Sequence, residues 1–215
     1  MFYQPDWNGF TEGPALRGWW VHNSYGTTYA ILPFLREPFL TFLQNSQDLW
    51  FDQMGDGQRA GAPPNNWIAP NGALGDGAEP GKVFYKQGDG RIAIHDWAME
   101  PTAAGVVLQA ELLLINRDPK LIERYLPKLE RAATFVETRR SPANNLFLAG
   151  PAANLLAPSY AGFRRPDGTW DKAYLAGLSI THIAALDRLI ELEKLTGHTK
   201  EAEYYTNLRD LAKRA

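Results

Sequence analysis

Several groups of residues in this chain have the types and spacing to do chemistry. His95, Asp96 and Trp97, with Glu100 one turn on, close a Gly/Pro-rich stretch and open an apolar one, "HDWAMEPTAAGVV". Trp19, Trp20, His22 and Asn23 share the short run "RGWWVHNSYG". Trp170 and Asp171 end a second loop-like stretch, in which Asn154 and Tyr160 stand earlier. A carboxylate accepts charge-assisted hydrogen bonds from neighbouring hydroxyls, and histidine or asparagine adds a donor. A tryptophan face stacks on the C–H side of a pyranose. Together these types suit a polyhydroxylated ligand such as a sugar.

Each group also has a structural reading. Asp96 fits a helix cap and Glu100 a first-turn carboxylate that favours the helix dipole. Adjacent tryptophans point to different sides, so at most one of Trp19 and Trp20 faces a ligand while the other packs. Asp171 also fits a helix N-terminus. Asp52 and Asp56, in "FDQMGDGQR", lack the alternating oxygen ligands and late glutamate of a calcium loop, so no metal is expected. The Gly-Asp-Gly pieces read as turns and match no phosphate loop, and no cofactor is implied. His182 lies on an apolar helical stretch and reads as a core histidine.

Helices must position these residues. A loop leads into a helix with Ser24 as its N-cap, and a second helix spans about 37–54 with Pro38 in its first turn. Residues 55–90 are rich in Gly, Pro, Asn and Asp, and "KVFYKQGDGRIAI" has the pattern of a small hairpin. Residues 100–116 are apolar on nearly all sides and predict a buried helix. Asp118-Pro119 starts an amphipathic helix over 119–139. After a second long loop, a helix over 171–196 stops at Gly197, and Thr199 caps the last one. Short links within pairs and long links between them predict three αα-hairpins with the long loops at one end.

The totals narrow the function classes. A chain of 215 residues buries a proper core, and one domain over 1–215 is expected. The net charge of −2 offers no basic surface for nucleic acid or anionic membrane. With no cysteine, thiol and disulfide chemistry is excluded. The start "MFYQPDWNGF" lacks the pattern of a signal peptide, and no apolar run is long enough to span a bilayer. Aromatics reach 12%, with seven tryptophans, and Trp7, Trp67, Trp97 and Trp170 fall in loop-like segments.

Three quoted stretches carry a family resemblance: "RGWWVHNSYGTTYAILPFL", "HDWAMEPTAAGVVLQAELLLINRD" and "SYAGFRRPDGTWDKAYLAGLSITHIAALDRLIELEKLTGHTKEAEYY". They resemble barrel-mouth segments of the six-hairpin glycosidases, which fold as (α/α)6 toroids. The resemblance implies an all-α fold, about half of such a toroid, within a larger glycosidase. It implies a carbohydrate substrate and, if catalytic, an inverting acid/base mechanism between carboxyl groups about 6.5–9.5 Å apart. Asp96 and Asp171 are then the catalytic candidates, and the other residues named above bind substrate. Where related enzymes carry a Gly-Met-Asp acid motif this chain has "APSYAGF", with no carboxylate. Half a toroid also exposes apolar helix faces, which favours a homo-oligomer. The alternatives are a carbohydrate-binding helical module without catalysis, or another α/α-toroid enzyme such as a polysaccharide lyase. An Asp-rich diphosphate motif for a cyclase is absent.

Overall fold

The computed structural model describes residues 1–14, 17–58, 68–84, 98–149, 166–167 and 173–215, with the backbone alone at 21–25 and 149. Helix dominates the described residues. Helix α1 spans Val21–Ile31 and runs into a short 3-10 turn, Leu32–Phe34. Helix α2 spans Phe39–Asp52, α3 Met99–Asn116, α4 Pro119–Glu137, α5 Ala176–Thr196 and α6 Thr199–Lys213. None is long and apolar enough to cross a membrane.

Burial follows the residue pattern of each helix. Every residue from 99 to 110 is buried, as the largely apolar sequence of α3 favours, and Glu100, Thr102 and Gln109 are buried with it. Helix α4 buries Ile122, Tyr125, Leu126, Leu129, Ala132, Ala133 and Val136, spaced three and four apart, and exposes the charged positions between them. Helix α3 packs on α1, α4 and α5, and α5 packs on α3, α4 and α6. Helices α1, α3 and α5 thus form one layer. Helix α2 lies behind it, tied to α3 by Gln44 and Gln109 at 3.2 Å and to α4 by Arg124 on Asp48 at 2.9 Å. The hydroxyl of Tyr125 also donates to Asp48.

The helix ends are set by local chemistry. Asp118 caps α4 by accepting from the Lys120 amide at 2.9 Å, with Pro119 in the first turn. Gly197 ends α5 at φ 82°, a left-handed conformation that glycine adopts without steric cost. Three expected boundaries move. Helix α1 starts at Val21 with Trp20 at its N-cap, so Ser24 lies inside it. Thr199 is the first residue of α6, with His198 at the cap. Helix α5 starts at Ala176, because Ala173–Tyr174 pairs with Leu148–Ala149 as a two-stranded ribbon. The hairpin expected around Lys82–Ile94 falls largely outside the described residues.

The short links 32–38, 117–118 and 197–198 lie at one end of the helices, and the described stretches that flank the long connections lie at the other. The N-terminal ribbon lies along α2, with Phe10 against Phe39 and Phe42, and the other two ribbons sit at that second end. Strand β1 (Phe2–Gln4) pairs with β2 (Gly9–Thr11), β3 (Trp19–Trp20) with β4 (Gly77–Ala78), and β5 (Leu148–Ala149) with β6 (Ala173–Tyr174), all antiparallel. The main core joins Trp50, Phe51, Tyr125, Leu129, Leu186 and Leu189. A second cluster, with Phe84, Met99, Phe135, Phe147 and Leu178, underlies the loop end.

Candidate functional site

The loop end is organised by one close crossing of backbone. Trp19 faces Ala78 and Trp20 faces Gly77 in the β3–β4 ribbon. A Cβ on Gly77 would stand 2.7 Å from the Trp19 carbonyl oxygen, so only glycine fits there. The segment leading to β4 is pinned from several sides. Trp50 Nε1 donates to the Gly75 carbonyl at 2.9 Å, and the Leu74 amide donates to Thr102 Oγ1 at 2.9 Å. Gln53 Nε2 donates to the Glu79 carbonyl at 2.7 Å, and the Gly55 amide to Ala73 at 2.8 Å. Helices α2 and α3 therefore hold residues 73–79 in place on both sides of Asp76.

Asp76 is wholly buried. Burial pushes its carboxyl up to about 8, against a hydrogen bond from its own backbone, and the charge of Glu12 adds to the rise. Asp76 therefore keeps its proton at neutral pH. Glu12 follows strand β2, and the chain there is fixed by Thr11 Oγ1 donating to the Gly18 carbonyl at 2.6 Å. Two carboxyl groups from segments far apart in sequence are thus brought into electrostatic contact beside a tryptophan pair. A carboxyl that keeps its proton next to one of different environment is the arrangement that general acid chemistry uses.

The structure places the sequence candidates unequally. Trp19 and Trp20 are both buried, at 0% and 8% exposure, so packing accounts for most of each ring. Glu100 lies buried in the first turn of α3, at the same end as Asp76. His22 and Asn23 lie in the first turn of α1, directly after the tryptophans. His95, Asp96, Trp97, Asn154, Tyr160, Trp170 and Asp171 fall outside the described residues.

Asp52 pairs with Lys128 at 3.1 Å, and Asp56 accepts from the Gln58 amide at 2.9 Å. No cluster of metal-ligating side chains occurs among the described residues. His182 is wholly buried, with Nε2 on Glu137 at 2.8 Å and the ring edge-on to Phe147. Burial raises the Glu137 carboxyl, but hydrogen bonds from His182 and Arg140 outweigh it and hold the group below its ordinary value.

Sequence reasoning passed over Asp76 and Glu12. The only sequence signal for Asp76 is the run of small residues around it, "NGALGDGA", which lets a backbone approach closely. Comparison with protein families, with curated proteins and with solved structures finds no match for this chain.

Proposed function

We propose that the chain is a glycoside hydrolase-like catalytic unit, built as αα-hairpins of an (α/α)6 toroid, whose loop end binds an oligosaccharide. The observation that carries this reading is Asp76, a carboxyl held in its acid form beside Glu12 and the Trp19–Trp20 ribbon. In this role Asp76 gives its proton to the glycosidic oxygen as the C–O bond breaks. A water activated by a second carboxylate then attacks the sugar carbon from the opposite face. Sequence reasoning offers Asp96 and Asp171 as an acid or as sugar contacts, and the half-toroid reading assigns the second carboxylate to the remaining hairpins. The Asp76 carboxyl is covered, so in this role substrate must displace what covers it.

Hydrolysis of aryl glycosides with graded leaving groups tests the reading. Asp76→Asn is expected to slow substrates with poor leaving groups by about 10²–10⁴-fold, the usual worth of a positioned acid. Substrates with activated leaving groups, which need no proton, should turn over nearly as before. An equal loss on both kinds, in a variant that is folded, removes Asp76 from the acid role.

A second reading follows from burial. Asp76 and Trp19 are both at 0% exposure, which favours a non-catalytic helical module that binds carbohydrate through other groups at the same end. Calorimetric titration with oligosaccharides separates the two readings. Binding without turnover supports the module, and the absence of both rejects the two together.

A further inference from the structure

A second feature lies at the opposite end of the helices, where the short links are. A groove of about 650 Å³ opens between the start of α4 and the end of α5. That volume falls in the range of small-molecule sites. Ile122, Leu126, Pro127 and Leu195 make an apolar floor, and Glu130 and His198 line the same groove.

Behind these two residues is Glu193, which is wholly buried. Its Oε2 meets His198 Nδ1 at 2.9 Å, while its Oε1 meets no donor among the described residues. Burial raises the Glu193 carboxyl to about 7. Its hydrogen bond with His198 opposes the rise, and the charge of Glu130 and a hydrogen bond shared with the Glu130 carboxyl add to it. Tyr205 faces the same pair from α6, and its phenol is pushed up by burial and by the charges of Glu130 and Glu193. Arg117 and Glu123 also line the groove, with opposite charges. Among the described residues, the half-exposed imidazole of His198 is the one group of the groove lining that meets the Glu193 carboxyl.

We propose that the groove binds a small primary amine with an apolar body, its ammonium seated on Glu130, in front of the buried Glu193. An ammonium brings three donors, and on Glu130 it takes the place of the proton that Glu130 shares with Glu193. The hydrocarbon body covers the floor of Ile122, Leu126, Pro127 and Leu195. The charge of Glu130 selects an amine over a neutral molecule of the same shape.

Hexylamine, with hexanol as its neutral counterpart, is the probe. Methyl NMR of Ile122, Leu126 and Leu195 reports occupancy on the whole chain. Hexylamine should shift these methyls at about pH 8 with roughly tenfold higher affinity than hexanol, the worth of a charge-assisted hydrogen bond. Lowering the pH below the Glu193 value should weaken hexylamine and leave hexanol unchanged. Glu130→Gln should remove the preference for the amine. His198→Ala, at an exposed position, should keep or strengthen it by removing the competing donor. Equal affinity for both probes, or no methyl shift with hexylamine, overturns the proposal. So does loss of the preference in His198→Ala, whatever the fold of Glu130→Gln.

Discussion

Asp76 sets a pH dependence that stability measurements can read. Its folded value of about 8 lies above the ordinary 3.8. The stabilisation linked to its proton is fully present at acid pH. It is lost as pH rises from about 4 to about 8, because the unfolded chain releases a proton that the folded chain retains. Glu193 acts in the same direction, with its raised value near 7. The thermal midpoint of the chain should therefore fall between about pH 5 and pH 8. Asp76→Asn keeps the shape and removes the ionisation, so its midpoint should fall less over that window. A variant with the same slope as the parent would show that Asp76 titrates normally.

Among the elements, the helix ends and crossings are the points of leverage. Asp118 is a true cap, so Asp118→Ala should cost about 1 kcal/mol in urea denaturation. Thr199 looks equivalent in sequence, but no side chain caps the start of α6. Thr199→Ala should then stay within about 0.5 kcal/mol. Gly105 in α3 is different again. A Cβ there would press on Leu74 Cδ1 and stand 3.1 Å from Trp50 Cη2. Gly105→Ala should destabilise by about 1–3 kcal/mol despite the better helix propensity of alanine, because overpacking outweighs it. Both displaced side chains hold the Asp76 segment, so the same change should lower any activity that depends on Asp76.

At the scale of the whole molecule, the core is shared by α2, α3, α4 and α5. Leu189 of α5 is fully buried in the main cluster, and Leu189→Ala should cost about 2–5 kcal/mol. Ile180, on the same helix, is 68% exposed, and Ile180→Ala should cost less than about 0.5 kcal/mol. Paired denaturation curves for the two variants check the layer assignment, since they test which side of α5 is covered. Equal costs would mean that the face carrying Ile180 is also covered in solution.

The helices were legible because their signals are local. The three- and four-residue spacing in α4, the Asp-Pro start and Gly197 each act within a turn or two of chain. The burial of α3 was legible from its largely apolar sequence. Short links foretold the pairs α3–α4 and α5–α6, which pack together. The site was not legible in the same way. Gly-Asp-Gly occurs at residues 55–57, 75–77 and 88–90, and in sequence each reads as a turn. Asp56 behaves as one, exposed and bonded to the amide two residues on. Asp76 is drawn inward because Gly77 alone can pass the Trp19 carbonyl, and because Trp50, Gln53 and Thr102 hold its neighbours. Its carboxyl is raised chiefly because that packing buries it, and the charge of Glu12 adds to the rise. Local sequence thus determined where helices start, stop and turn, since those choices depend on nearby dihedrals and caps. Which aspartate becomes a buried acid was decided by tertiary structure, since burial depends on what distant segments bring to it.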